Sequence, residues 1–480
     1  MNGLREQGAV LLISCYELGH QPLGIAWPRA FLERAGFAPA ALDLAVEPFD
    51  DAMVRRARFI GIAVPMHTAL RIGVRVAERV RSMNPDCFIC FYGLYALLNA
   101  EYLRAHVADA VLGGEFEGAL VELLERLERS GVAGDVPPAP ALERLAFPVP
   151  ARSGLPELSR YVHLARAGGT TPAGYVEASR GCLHLCLHCP IPPVYGGRFF
   201  AVPRDVVLED ARRLIAAGAG HITFGDPDFL NGPGHAIKLA RALHAEFPHI
   251  TYDFTAKVEH ILQHRALFRE FGASGCAFVV SAVESLSDGV LAALEKGHTA
   301  ADVPVALDIV RSAGIALRPS FVAFTPWTTL DDYRELLDFV ATEGLIDEVD
   351  PVQYAIRLLV PPGSALLSRP AIRPYLGALD PAAFTYRWTH PDTRMDRLER
   401  EVRAVVERAT AAGEGASRIF ERVREVASTV AEGAPLRRTV AGSSARLTGQ
   451  APRLTEPWFC CAEPTERQLD VVEADRGTWI

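Results

Sequence analysis

Apolar runs and amphipathic stretches alternate along the first 130 residues. Val10–Ser14, Ala40–Leu44, Phe59–Val64, Cys87–Tyr92 and Ala110–Leu112 are short, almost wholly apolar segments. Between and after them Thr68–Met83 and a stretch from Phe116 to Leu127 repeat apolar residues at helical spacing. Uninterrupted apolar runs suit strands buried on both faces, so the alternation predicts a parallel sheet sandwiched by helices. Gly93 and Gly113-Gly114 fall just after the fourth and fifth runs, where loops gather at the ligand edge of such a sheet. The pattern predicts a doubly wound, Rossmann-like domain over 1–132.

Proline then interrupts the chain: Val136-Pro137-Pro138-Ala139-Pro140 is followed by Pro148, Pro150 and Pro156. That density opposes helix and central strand and predicts a connector over 133–167. A second alternating series follows. Its predicted strands are Tyr175–Ala178, His221–Phe224, Thr251–Thr255, Ala277–Ala282, Ala316–Ala323 and Val352–Leu358, with helical stretches such as Asp205–Ala217, Gly234–Glu246 and Asp331–Glu343 between them. Six βα units predict a partial (β/α)6 barrel over 168–375, with function at the strand C-terminal ends. Within 376–480, Met395, Leu398, Val402 and Val405 form a helical stripe, as do Ile419, Val423, Val426 and Val430. From Gly433 the chain is rich in Gly, Ser and Pro and reads as an extended tail.

Composition narrows the function classes. With 49 Lys plus Arg against 58 Asp plus Glu, the net charge is −9, which argues against a partner held through nucleic-acid phosphates. No apolar run is long enough to span a membrane, and the short run near the N-terminus reads as a first strand rather than a secretion signal. The expected location is cytoplasmic. Nine cysteines in a reducing compartment are not a disulfide framework, and five of them crowd into two short segments. Cys87 and Cys90 point to opposite faces of their strand and read as buried hydrophobes.

The first crowded segment is Arg180-Gly181-Cys182-Leu183-His184-Leu185-Cys186-Leu187-His188-Cys189-Pro190, directly after the first barrel strand. Three soft thiolates on one tight loop suit an iron–sulfur cluster or zinc. Three ligands on a four-iron cluster leave one iron open for chemistry. Zinc completed by His184, His188 or a distant ligand is the rival, although structural zinc usually brings two separated ligand pairs.

Cys182-x3-Cys186-x2-Cys189 after the first strand of a six-unit barrel resembles the radical S-adenosylmethionine (SAM) enzymes. The resemblance implies a [4Fe–4S] cluster on Cys182, Cys186 and Cys189 whose open iron chelates SAM, with one electron from a donor such as a flavodoxin or ferredoxin cleaving a carbon–sulfur bond. The family usually has an aromatic residue before the last cysteine; here it is His188. Matched to family positions, Gly225, Asp226 and Asp228 after the second strand, Glu284 at the end of the fourth, Ser320 on the fifth and Tyr354 on the sixth become cofactor-binding candidates. Bland readings stay beside them: a Gly/Asp turn for 225–228, and a helix N-terminus for Glu284-Ser285. Arg318 and Arg357, on apolar strands, are candidates for holding a carboxylate or for facing solvent.

The N-terminal layout resembles the cobalamin-binding domains fused to such barrels. Its histidine motif, Asp-x-His-x-x-Gly, is absent; His20 and His67 are the only loop histidines near strand ends. Cobalamin bound without a histidine stays open but is not the favoured cofactor. The second crowded segment, Trp458-Phe459-Cys460-Cys461-Ala462-Glu463-Pro464, pairs two adjacent thiols that cannot readily form an unstrained disulfide with each other. They make a chelate for a thiophilic centre such as As(III), or are simply buried in a docked tail. This ending resembles the CCAEP-tail radical SAM family, and the layout is similar to radical SAM enzymes of arsinothricin biosynthesis. That resemblance implies transfer of the 3-amino-3-carboxypropyl group of SAM to arsenite, with Cys460 and Cys461 as catalytic residues. A cobalamin-dependent radical methyltransferase and a zinc-bearing ligand sensor are the competing expectations.

Overall fold

The computed structural model describes residues 3–134, 136–430, 451–456 and 462–469, apart from the side chain of residue 467. Strands β1 (Val10–Ser14), β2 (Ala40–Asp43), β3 (Phe59–Ala63), β4 (Phe88–Tyr92), β5 (Ala110–Gly114) and β6 (Pro140–Ala141) form a parallel sheet in the order β2-β1-β3-β4-β5-β6. Alternate side chains enter two separate cores. Leu11, Ile13, Ile60 and Ile62 pack with helix His67–Met83, whereas Val10, Leu12, Phe59 and Cys90 pack with helices Leu23–Arg34 and Glu117–Ser130. Cys87 and Cys90 fall into opposite cores. Strand order reverses between β1 and β3, so the crevice beyond Ser14 and Ala63 is the topological switch point.

The Pro-rich stretch is built into both neighbours. β6 extends the first sheet, and β7 (His163–Arg166) pairs antiparallel with β8 (Gly169–Val176), the first barrel strand. Arg152 grips Asp210 through two hydrogen bonds of 2.7 and 2.8 Å. A short antiparallel ladder, β9 (Ser179–Gly181) with β10 (Phe199–Ala201), leads into the thiol loop. β11 (His221–Phe224), β12 (Thr251–Thr255), β13 (Cys276–Glu284) and β14 (Ala316–Phe321) continue the barrel in parallel.

The sixth predicted strand, Val352–Leu358, does not form as such. Pro351–Tyr354 is a 3₁₀ turn, and only Phe324 and Arg357 make a parallel bridge. Pro351 has no N–H for a ladder, and the Gln353 side-chain carbonyl accepts the Phe321 N–H at 2.9 Å, taking the place of a strand backbone. Antiparallel β15 (Leu376–Asp380) and β16 (Thr385–Trp388) precede helices Thr393–Ala411 and Ala416–Val430. This pair buries Met395, Leu398, Val402, Ile419, Phe420 and Val423 against the barrel core. β17 (Arg453–Leu454) then pairs with β7, closing the sheet order β14-β13-β12-β11-β8-β7-β17. No helix among the described residues is long and apolar enough to cross a membrane.

Four buried carboxyls make stability depend on pH. Burial, reinforced by Asp43, pushes Glu17 up to about 8; burial also pushes Asp43, Glu115 and Asp226 each to about 7. The folded chain therefore holds protons that the unfolded chain releases near pH 4. Their stabilising contribution is complete below that pH and is lost as pH rises through 7 and 8. The melting temperature is expected to fall by several degrees between about pH 5.5 and 8.5, with Glu17→Gln flattening the upper part of the curve. A melting temperature that rises over that interval contradicts this assignment.

Candidate functional site

The thiol loop leaves β9 at Gly181, whose φ of 75° is a left-handed conformation. A Cβ there would collide with the Arg198 carbonyl and the Tyr195 ring, so the turn requires glycine. Arg180, one residue earlier, fixes the loop to the first domain. Its guanidinium lies 2.8 Å from Glu117 and 3.0 Å from Glu177, with Glu115 at 3.7 Å. Asn231, beyond β11, accepts from Leu183 N at 3.1 Å and sits 3.8 Å from the Cys182 sulfur. Leu187 N donates to the Leu294 carbonyl at 3.0 Å. The loop is thus held from three sides while its thiols face inward.

Cys182 and Cys186 are buried and Cys189 is half-buried. Burial pushes Cys189 up to about 12, and the neighbouring Cys186 and Cys182 push in the same direction while the Lys296 ammonium opposes them. Three thiols close enough to perturb one another, with one cation beside them, form a soft donor set that fits a cluster held by three thiolates.

Glu284 ends β13 with a φ of 67°, unusual for a residue with a side chain, and β13's register to β14 shifts there. Its Oε1 lies 3.2 Å from both Lys296 Nζ and His188 Nε2. Burial opposes ionisation, but Lys296 and His188 outweigh it and hold Glu284 down to about 2. Lys296 is buried, and its ammonium also feels Cys186 and Cys189. Glu284, His188 and Lys296 therefore form a charged rim directly beside the thiols.

The other candidates separate into groups. Gly225 makes room for Tyr175, whose hydroxyl reaches the Gly225 carbonyl at 3.4 Å. Asp226 is turned back onto the first strand, accepting from Ala178 N at 2.9 Å and from the Ser179 hydroxyl. Asp228 accepts from Leu230 N at 3.0 Å, and its second oxygen faces His260 at 2.8 Å. Ser320 reaches only the Ser281 carbonyl, at 3.4 Å. Arg318 is committed to Asp350 at 2.6 Å, and Arg357 to Asp396 at 2.9 Å and to the face of Trp388. Tyr354 corrects the sequence expectation: without a sixth strand to aim it inward, it packs on Phe420 of the last helix, with ring centroids 5.5 Å apart. Lys296, His260 and Asn231 were not among the predicted residues.

At the switch point of the first domain, His20 stacks on Tyr175 of the barrel at 4.3 Å, and His67 faces Glu463 of the tail at 3.5 Å. Burial holds His20 down to about 3. Both imidazoles are buried and engaged by other parts of the chain, so this edge does not fit a corrin ligated through either histidine.

Cys460 and Cys461 lie outside the described residues, but the chain is anchored on both sides of them. Thr455 N donates to the His163 carbonyl at 2.9 Å, and the Glu456 side chain lies against Gly19. Ala462 is buried, and Glu463 meets Arg71 at 2.8 Å. Ala462 and Glu463 also line a cavity of about 400 Å³ with Ile356, Arg387, Trp388 and Arg403.

Residues 176–340 match the Radical SAM superfamily. The chain carries a radical SAM domain. Among curated relatives it is 25% identical over 324 residues to the hopanoid C-3 methylase of Methylococcus capsulatus, covering 64% of this chain and 62% of that protein. It is also 25% identical over 299 residues to an uncharacterized methyltransferase of Pyrococcus horikoshii, covering 58% and 62%. The chain thus spans about three fifths of these relatives. Among solved structures, the cobalamin-dependent radical SAM enzyme OxsB, with aqua-cobalamin and SAM bound, aligns with a TM-score of 0.67 at 16% identity, covering 84% of this chain and 67% of that one. The radical SAM methyltransferase TsrM of Kitasatospora setae, with cobalamin and a [4Fe–4S] cluster bound, aligns at 0.54 and 18% identity, covering 69% of each. The radical SAM domain and the Rossmann-like domain in front of it share the fold of these enzymes.

Proposed function

We propose that the chain is a radical SAM enzyme that transfers the 3-amino-3-carboxypropyl group of SAM to As(III), forming a carbon–arsenic bond of the arsinothricin type. The observation that carries the acceptor is the pair Cys460-Cys461 between two docked stretches, with a cavity against the residue that follows it. Two adjacent thiols are suited to a thiophilic acceptor and poorly suited to a methyl-accepting carbon.

When bound on Cys182, Cys186 and Cys189, a [4Fe–4S] cluster supplies one electron to the sulfonium of SAM, drawn from a donor such as a flavodoxin or ferredoxin. The chain's own residues do the rest. Glu284, ionised at any working pH, offers a fixed acceptor to the ammonium or ribose hydroxyls of SAM, and Lys296 and His188 hold it in place. Which carbon–sulfur bond lies in line for cleavage is set by that positioning. Cys460 and Cys461 would hold As(III) near the carbon to which it bonds. The carbon–sulfur bond breaks, methylthioadenosine leaves and the carbon–arsenic bond forms. The odd electron left on arsenic would return to the cluster, so that arsenic ends as As(V) and no net reductant is consumed.

Anaerobic incubation with SAM and a reductant, with and without arsenite, tests this directly. Arsenite-dependent 5′-methylthioadenosine is the expected by-product; 5′-deoxyadenosine alone would mean that the other bond breaks. A second reading, cobalamin-dependent methyl transfer, is favoured by the methyltransferase names of the relatives. It predicts corrinoid bound to the purified protein and S-adenosylhomocysteine among the products. Iron and acid-labile sulfide, if found on the purified protein, would exclude a zinc-bearing sensor.

A further inference from the structure

Beside the thiol triplet, two imidazoles and a carboxylate meet in an arrangement that neither the cluster nor the tail requires. His184 lies between Cys182 and Cys186, Asp228 follows β11, and His260 sits on the short helix Val258–Gln263 after β12. The two rings face each other with Nε2 atoms 3.2 Å apart. A carboxylate oxygen lies near each ring without a hydrogen bond to its Nδ1: Glu259 is 3.6 Å from His184 Nδ1, and Asp228 is 2.8 Å from His260 Nδ1. Asp228 also approaches His184 Nε2 at 3.7 Å. One donor atom from each of His184, Asp228 and His260 lies within 4.8 Å of the others.

The His260 Nδ1 is buried with no hydrogen-bond partner, and a buried polar atom left unpaired is one that an ion can satisfy. The facing Nε2 atoms are satisfied either by one proton shared between them or by an ion. With metal–nitrogen bonds of about 2.1 Å, nitrogens at the observed separation subtend roughly 100° at an ion, between octahedral and tetrahedral values. Asp228 accepts from Leu230 N at 3.0 Å and from Lys257 N at 3.4 Å, whereas the buried His260 Nδ1 has no such partner, and leaving it so is costly.

We propose that His184, His260 and Asp228 bind one divalent transition ion of the zinc or ferrous class, distinct from the ions on the thiols, which clasps the thiol loop to the ends of β11 and β12. Asp228 then serves this ion rather than SAM. The ion site stands whether or not the thiols hold iron.

The test is cobalt(II) uptake by the anaerobically reconstituted full chain, read by elemental analysis after desalting and by visible absorption. One cobalt per chain is expected, with d–d bands and no thiolate-to-cobalt charge transfer. His260→Gln and Asp228→Asn should each weaken uptake by about 10- to 100-fold while the iron content stays at the wild-type level. Cys182→Ala, which disables the thiol set, should keep the cobalt. Circular dichroism and thermal melting check folding, and His184→Gln replaces either variant that fails to fold. Absence of uptake by the wild-type chain, a thiolate charge-transfer band, or unchanged uptake in the folded variants would overturn the proposal.

Discussion

Alanine at Cys182, Cys186 or Cys189 is expected to reduce iron and acid-labile sulfide in the reconstituted protein from about four per chain to a small residue, and SAM cleavage to background. The three thiols are the whole sulfur donor set of the loop, and alanine supplies no ligand in place of the one removed. Collapse of the loop is not the expected cause. Its backbone is tied by Leu187 N to the Leu294 carbonyl, by Asn231 to Leu183 N, and by Arg180 to Glu117, none of which needs a cysteine side chain. The variants should therefore fold with near wild-type circular dichroism and melting temperature while losing the brown absorbance and the reduced-cluster electron paramagnetic resonance signal. Wild-type iron content and cleavage in any single variant would rule out the three-thiolate assignment.

Lys296→Met should act differently. The cluster should assemble, because no ligand is lost, but a positive charge beside Cys186 and Cys189 disappears and Glu284 loses a partner at 3.2 Å. A lower midpoint potential in a redox titration, together with a raised KM for SAM, is the expected pair of effects. A potential equal to that of the wild type would mean that the ammonium does not act on the cluster.

What could be read from the chain follows its physics. β1 and β3 are buried at every position, so their apolar runs are unambiguous, and the order of helices and strands leads directly to two successive α/β units. The thiol loop was legible because its donors are contiguous in sequence. The sixth barrel strand was not, because Val352–Leu358 has strand-like apolar content but meets the Phe321 N–H of β14 through the Gln353 side chain instead of through its backbone. Nor were the residues around the thiols: His260 reaches them from the helix after β12 and Lys296 from beyond the helix Asp288–Ala293, and no local pattern links them to Cys182. One signal was present. Only Lys238, Lys257 and Lys296 are lysines among the 49 basic residues, and Lys257 lies beside His184 and Lys296 beside Cys186 and Cys189. The composition of the tail reads as extended with little core, yet Ala462 and Leu469 are buried and Glu463 meets Arg71 across 392 positions of sequence. Such a contact leaves no periodicity to read.

Serine at Cys460 or Cys461 is expected to lower arsenite-dependent 5′-methylthioadenosine and the carbon–arsenic product by at least about 100-fold, without loss of the cluster. Serine is nearly isosteric with cysteine, so docking through Glu456 and Glu463 should persist; what disappears is a soft, readily ionised sulfur, replaced by a hard hydroxyl with little affinity for As(III). SAM cleavage without arsenite should continue at the wild-type rate, because the thiol loop and Glu284 are untouched. Glu463→Gln separates chelation from docking. It weakens the pairing with Arg71 and His67 while leaving both thiols in place, so it should raise the KM for arsenite more than it lowers kcat. If both serine variants turn over arsenite as the wild type does, the two sulfurs are packing groups and the acceptor lies elsewhere. If they lose activity but Glu463→Gln changes nothing, the sulfurs act without help from the docked segment, and the cavity beside Ala462 is not the route by which arsenic enters.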